Sequence, residues 1–394
     1  MRVLLAPDCF GGTLTAVEAA AAMADGWRRG APDDEIRCLP LADGGPGFVT
    51  ILHAALGGDL VPVPVTGPLG EVVPAALLRV AGSAGTTVYV ESAQAIGSHL
   101  IPPERRDPTT TTSAGVGELL RAARDLGAAR VVVGLGGSGT NDAGAGALGA
   151  LGMSCPSLRG GGGALAALAP GDVADLSVAR DALAGVDLVV ATDVDVPLLG
   201  LHGASAGFAQ QKGASPQQAQ DLERALGHFA GLLGRAADGG SVRDLLAPGG
   251  GRPGTDAARR WAALPGAGAA GGLGFGLAAL GARLLPGAAV VAGAVGLAEA
   301  VASADVVVTG EGSFDWQSLH GKVVSQVAAT ALEQGVPAVV VAGQVLVGRR
   351  EWGAAGVAGA YAVAERPDQV PASLADPART LAARVARVAR TWSR

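Results

Sequence analysis

"MRVLLAPDCFGGTLTAVEAAAAMADGW" (residues 1–27) is the stretch on which the reading of the fold turns. Val3 to Ala6 is a short apolar run, as expected of a strand buried on both faces. It runs out through a turn-rich segment, Asp8-Cys9-Phe10-Gly11-Gly12. A helical pattern then starts near Thr13 or Thr15 and continues through Ala16–Arg29. "IRCLPLADGGPG" (36–47) repeats the order, a strand leaving through glycines, and a helix follows over about Gly47 to Leu56. Strand and helix alternating at this spacing predict parallel strands joined by crossovers.

The same rhythm returns near the other end of the chain. "ADVVVTGEG" (304–312) reads as a buried strand with a polar, glycine-containing exit. Lys322–Gln334 reads as a helix, "PAVVVAGQV" (337–345) and "GVAGAYAVA" (356–364) as strands, and Asp376 to Trp392 as an amphipathic helix with Leu381, Val385, Val388 and Trp392 on one stripe. Five strands drawn from both ends predict an open, doubly wound sheet. The middle differs. "VPVPVTGPLGEVVPAALLRV" (61–80) and "TTVYVES" (86–92) read as antiparallel hairpin strands. "RVVVGLGGSGTND" (130–142) and "DLVVATDVD" (187–195) read as two further buried strands, Pro216–Leu233 as a helix, and "APGGGRPGTD" (247–256) as a loop. The expected organisation is one discontinuous parallel-sheet domain, residues 1–65 and 288–394, and an inserted mixed α/β domain, residues 66–287.

Composition narrows the function. Of 394 residues, 49% are hydrophobic and 63 are glycine, so the core is expected to be Ala, Val and Leu packed against glycine. A net charge of −6 without a basic patch argues against nucleic acid. Cys9, Cys38 and Cys155 are far apart and form no CxxC, which suits a reducing compartment rather than a disulfide framework or zinc site. The opening apolar run is too short for a signal peptide, and Glu18 and Asp25 interrupt the alanine run, so no membrane span is expected and the location expected is cytoplasmic. Only two lysines occur, Lys212 and Lys322, among many arginines. A lysine kept against that bias supplies a compact point charge that arginine does not.

Polar residues gather at strand exits, where open α/β sheets bind ligands. They are Asp8, Asp43, Asn141–Asp142, Asp193 with Asp195, and Glu311 followed by Asp315. One such Asp is ordinarily a turn residue or a cap; five exits of the same kind point to a shared acidic site. "GLGGSG" (134–139) matches GxGxxG, yet no second strand ending in an acid follows about 20 residues on, as a dinucleotide fold requires. The stretch offers instead backbone N–H groups with Ser138, Thr140 and Asn141 as short polar arms, suited to a phosphate or carboxylate, or else glycines that merely allow close packing. "TGEGSFDWQSLHGK" (309–322) is dense in polar groups, with Gln317, His320 and Lys322 after a strand. It lacks the P-loop spacing, His320 reads as a structural hydrogen-bonder, and Lys322 could still set its charge on a phosphate. Lys212, between glycines and small residues, is otherwise a solvated loop residue.

Taken together, "APDCFGGTLTA", "LADGGPG", "RDPTTTTSAGVGEL", "GLGGSGTNDAGAG", "TDVDVPLLGLHGASAGFAQQKGA", "PGAGAAGGLG" and "TGEGSFDWQSLHGK" resemble the type I glycerate kinases, the bacterial glycerate 2-kinase family, nearly end to end. The resemblance implies a flavodoxin-like domain built from both chain ends with an inserted α/β domain. It implies transfer of a phosphoryl group from ATP, with Mg2+, to the 2-hydroxyl of D-glycerate in an acidic, glycine-rich cleft between the two domains. Phosphoryl transfer needs a cation at the phosphates, donors to cradle them and a group that positions the attacking hydroxyl. On that footing Asp193 or Asp195 orients or deprotonates the hydroxyl, and the other acid, with Glu311, holds the metal. Lys212 and Lys322 neutralise phosphate charge, and Ser138, Thr140, Asn141 and Asp142 hold phosphate or substrate. Asp8, Asp43, Asp315, Gln317 and His320 complete the expected binding set. Partners are a small hydroxy acid and a nucleotide, and a homodimer is left open.

Several positions depart from the family pattern. Gly11 stands where a lysine is usual, Pro46 where a glutamate is, Val196 where an asparagine is, Ser313 where an arginine often is, and Trp316 and Ala114 where a small residue and a tyrosine are. The missing lysine and glutamate could be a coupled pair lost together. If they instead grip substrate, the chain acts on a different hydroxy acid or binds without turnover. An oxidoreductase is the alternative of a different class that GxGxxG raises.

Overall fold

The structure, a computed structural model, describes residues 1–237, 255–319 and 321–393. Most of the 247–256 loop and His320 therefore lie outside the described residues. The chain divides into two compact units, Met1–Asp43 with Thr50–Gly57 and Pro286–Arg394, and Gly44–Val49 with Gly58–Leu285.

The first unit is built on a five-stranded parallel sheet. Its spatial order is Glu35–Cys38, Arg2–Leu5, Val306–Thr309, Ala338–Ala342, Val357–Ala362. Numbered within the unit this is 2-1-3-4-5, the flavodoxin-like doubly wound order, as the resemblance implied. Strand order reverses between Arg2–Leu5 and Val306–Thr309, so the switch point lies at their carboxyl ends. The apolar runs are fully buried because helices cover both faces of such a sheet.

Thr15 starts the first helix, Ala16–Gly30, through a capping box: its hydroxyl accepts the Glu18 amide at 3.2 Å while Glu18 accepts the Thr15 amide at 2.8 Å. This helix lies against the last, Pro377–Trp392, at close range. A Cβ on Gly26 would fall 2.9 Å from the Cβ of Val385, and one on Gly30 2.7 Å from that of Ala389. Both chain ends thus share one core with Met23, Trp27, Leu381 and Val385.

The second unit carries a six-stranded mixed sheet, Asp59–Thr66, Val72–Gly82, Gly85–Glu91, Ala128–Leu135, Asp187–Thr192 and Arg283–Pro286 in spatial order. The first three strands form an antiparallel meander and the next two continue in parallel. The strand Asp59–Thr66, on which the expected boundary at 65 and 66 falls, pairs along its whole length with Val72–Gly82. Pro62 and Pro64 are tolerated because this strand is a sheet edge. No helix among the described residues is long and apolar enough to cross a membrane.

Candidate active site

In the first unit the strand exits converge on carboxylates. The Asp8 amide donates to the Gly310 carbonyl at 2.8 Å, and the Thr309 hydroxyl donates to the Ala6 carbonyl at 2.8 Å, which locks the two exits side by side at the switch point. Asp8 and Glu311 are each only 8% exposed. Burial, then the neighbouring charge of Asp43, raises the Asp8 carboxyl to about 7, against the amide of Cys9 that it accepts at 2.7 Å. Burial likewise raises Glu311 to about 7, opposed by a hydrogen bond from Ser318 and by the charge of Lys322. One oxygen of Glu311 is buried with no hydrogen-bond partner.

Asp315 organises the loop that follows. Its Oδ1 accepts the amides of Gln317 at 2.8 Å and Ser318 at 3.3 Å, an Asx turn that leaves Gln317 exposed. Lys322 sits at the N-cap of the helix Val323–Glu333, half-buried. Ser318, which no sequence motif singles out, is buried and serves both acids: its hydroxyl receives the Asp315 amide at 3.1 Å and also bonds Glu311.

In the second unit Lys212 is not a solvated loop residue. It is 7% exposed. Its Nζ donates to the Ser138 hydroxyl at 3.1 Å and to the Thr140 carbonyl at 2.7 Å, tying the turn Gln210–Lys212 to the glycine-rich loop. An ammonium has three protons, so one remains for an anion. Burial lowers the Lys212 ammonium to about 8, against the pull of Asp142. Beside it the Thr140 hydroxyl and the Asn141 Oδ1 are buried without hydrogen-bond partners, while the Asn141 amide donates to Ser205 at 3.0 Å.

Asp142 is fully buried, and burial pushes its carboxyl up. It accepts the Ser113 amide and hydroxyl, both at 2.8 Å, and the amides of Gly144 and Gly146 at 3.1 and 3.2 Å. Those bonds make it the anchor of the loop. The next residue, Ala143, holds φ of +53°, a left-handed conformation that side chains rarely adopt. Its amide donates to Gly271 at 3.0 Å, from the "PGAGAAGGLG" stretch, where Ala270 is left-handed as well. A Cβ on Gly271 would come 2.6 Å from the Asn141 Cα, so only glycine lets the two loops meet.

Asp193 and Asp195 follow the buried strand Asp187–Thr192, the first half-buried and the second exposed. Glu91, also unremarked in the sequence, closes the strand Gly85–Glu91 and accepts the amides of Gly47 and Val49 at 3.0 and 3.1 Å. It thereby satisfies donors at the start of the helix Phe48–Leu56 and holds the glycine loop that contains Pro46. The signal was there: an acid ending a buried strand, as at Asp8.

Comparison with known proteins decides the family. The family model described as "Glycerate kinase family" matches residues 3–393. The chain belongs to the glycerate kinase family. It is a phosphotransferase with an alcohol-group acceptor. A glycerate kinase of Bacillus subtilis is 41% identical over 351 residues, covering 88% of this chain and 85% of that protein. A glycerate 2-kinase of Escherichia coli is 39% identical over 349 residues, covering 87% and 85%. A crystal structure from Salmonella typhimurium LT2, whose description names glycerate kinase 2, superposes with a TM-score of 0.76 at 36% identity and covers 99% of this chain and 98% of that one.

Among the described residues no group of three or more His, Cys, Asp or Glu side chains is arranged to hold a metal. Magnesium does not demand one, since it keeps several waters and takes one or two carboxylates together with substrate phosphates. The buried, unpartnered oxygen of Glu311 fits that donor chemistry.

Proposed function

We propose that the chain transfers the γ-phosphoryl group of ATP to the 2-hydroxyl of D-glycerate, giving 2-phosphoglycerate and ADP. The observation that carries this reading is Lys212, an ammonium buried at a glycine-rich loop with a proton free for a phosphate oxygen. A buried point charge at an anion strengthens as water leaves, which is how phosphoryl transfer is chiefly accelerated. The acceptor oxygen forms a bond to the γ-phosphorus as the bond to the bridging oxygen breaks, and the hydroxyl proton passes to Asp193 or Asp195. Lys322 adds positive charge, and Ser138, Thr140 and Asn141 offer hydrogen bonds to phosphate or substrate. Magnesium, when bound, would neutralise phosphate charge, and Glu311, with its buried unpartnered oxygen, would be a carboxylate able to hold it.

The test is incubation with ATP and D-glycerate, with the product read by phosphorus NMR, which separates the 2- from the 3-phosphate. Formation of 3-phosphoglycerate would overturn the regiochemistry. Asp193→Asn and Asp195→Asn are made singly, and the one that takes the proton should lower turnover by roughly a hundredfold or more. Near-normal rates in both would remove them from the reaction.

A second reading, a kinase of the same fold for another small hydroxy acid, is favoured by Gly11. Nothing lies within 4 Å of where a side chain there would begin. With Ser313, Gly343 and Leu374 it lines a cavity of about 210 Å³. A panel of hydroxy acids in the same assay separates the two readings by their kcat/KM.

A further inference from the structure

A second cavity, of about 930 Å³, lies wholly within the second unit, between the segment from Gly200 to Gln210 and the first turns of the helix Pro216–Ala237. We infer that it receives the nucleoside part of the phosphoryl donor. The inference rests on the kinase reading above and adds to it a place for the base and ribose.

Four observations carry it. The cavity is an open groove whose volume falls in the range of small-molecule sites. Leu201 stands at the rim 91% exposed, and with Ala206 and Ala219 it gives the cavity an apolar side suited to a flat ring. Glu223 lines the cavity with a carboxylate of which one oxygen accepts the Gly200 amide at 2.7 Å and the other is buried with no partner. A carboxylate in that state wants a donor, and a ribose hydroxyl or a ring amino group supplies one. Finally, Gln210 lines the cavity and opens the turn that ends at Lys212. A nucleotide seated with its base in the cavity thus has its phosphates directed along one short turn toward the glycine-rich loop. The cavity itself is poor in free cations, since Arg224 is paired with Asp221. It suits an uncharged nucleoside better than a polyphosphate.

The experiment uses the full chain and three probes, ADP, adenosine and inorganic tripolyphosphate, with binding measured by calorimetry and turnover in parallel. Ala206→Trp fills the cavity from an exposed position, and Leu201→Asp places charge on its apolar side. ADP and adenosine should weaken at least about tenfold in both variants. Tripolyphosphate affinity and the KM for D-glycerate should stay within about twofold. Melting temperatures check that both variants fold. Unchanged ADP affinity in both folded variants overturns the inference while wild-type turnover leaves the kinase reading standing. Loss of ADP in the variants, with no hydroxy acid phosphorylated by the wild type, keeps the nucleoside site and overturns the kinase. A wild type that neither binds ADP nor turns over overturns both.

Discussion

Replacing Glu311 with Gln keeps the shape of the side chain and removes its charge. In the folded protein the Glu311 carboxyl is raised from 4.5 to about 7 by burial. The folded state therefore holds a proton that the unfolded chain has already released. Stability falls with pH wherever the folded state binds more protons, so the loss accumulates between about pH 4.5 and pH 7 and is complete above. A tenfold difference in proton affinity between the two states is worth about 1.4 kcal/mol, which sets a ceiling of about 3 kcal/mol for this group. Glu311→Gln cannot titrate and so escapes that loss. It does forfeit part of the hydrogen bonding with Ser318, but that cost is the same at every pH. The discriminating quantity is thus the difference between variant and wild type at pH 8 minus the same difference at pH 5. Thermal unfolding without divalent cations should show Glu311→Gln gaining on the wild type by about 1–3 kcal/mol over that interval, at roughly 1 °C per kcal/mol for a 394-residue chain. Equal differences at pH 5 and pH 8 would refute the reasoning, because they would mean Glu311 is ionised in the folded state throughout.

Three further outcomes follow from the same structure. Lys212→Met removes two buried hydrogen bonds and a charge from the glycine-rich loop, and kcat/KM should fall by roughly a hundredfold or more; Lys212→Arg should not restore it, since a planar fork does not replace a point charge in that enclosure. Glu91→Ala strips acceptors from the Gly47 and Val49 amides and should cost about 2–4 kcal/mol in urea unfolding. Gly271→Ala puts a methyl into the Asn141 backbone at a φ of +69°, and a loss of at least about 2 kcal/mol is expected, checked by its melting temperature.

The fold is legible in the sequence because apolar runs such as Val306–Val308 and Val339–Val341 are buried on both faces and lead into glycine-containing turns in a fixed rhythm. Asp8 and Glu311 are legible as strand exits for the same reason. Lys212 stands out for its rarity, but its burial does not, since nothing local distinguishes a loop lysine in water from one reaching into a loop some seventy residues earlier. Asp142 has the look of a ligand group, and its carboxylate accepts hydrogen bonds from the local amides of Gly144 and Gly146 and from Ser113, a partner that only the tertiary fold brings to it. Ser318 and Glu91 escape notice because a buried serine or glutamate declares itself only through the groups it bonds.

The first strand's place inside its sheet, between Glu35–Cys38 and Val306–Thr309, has a consequence for how the chain is made. Its neighbour Val306–Thr309 lies about 300 residues downstream, and the helix Pro377–Trp392 that packs on the first helix comes later still. At ribosomal rates of about 5–20 residues per second, Arg2–Leu5 emerges roughly 15 to 60 s before that neighbour exists. The inserted segment, continuous from Gly58 to Leu285, can complete its own sheet during the wait. An apolar strand with one open edge is thus exposed in every nascent chain, which makes the N-terminal segment the natural client for a chaperone during synthesis.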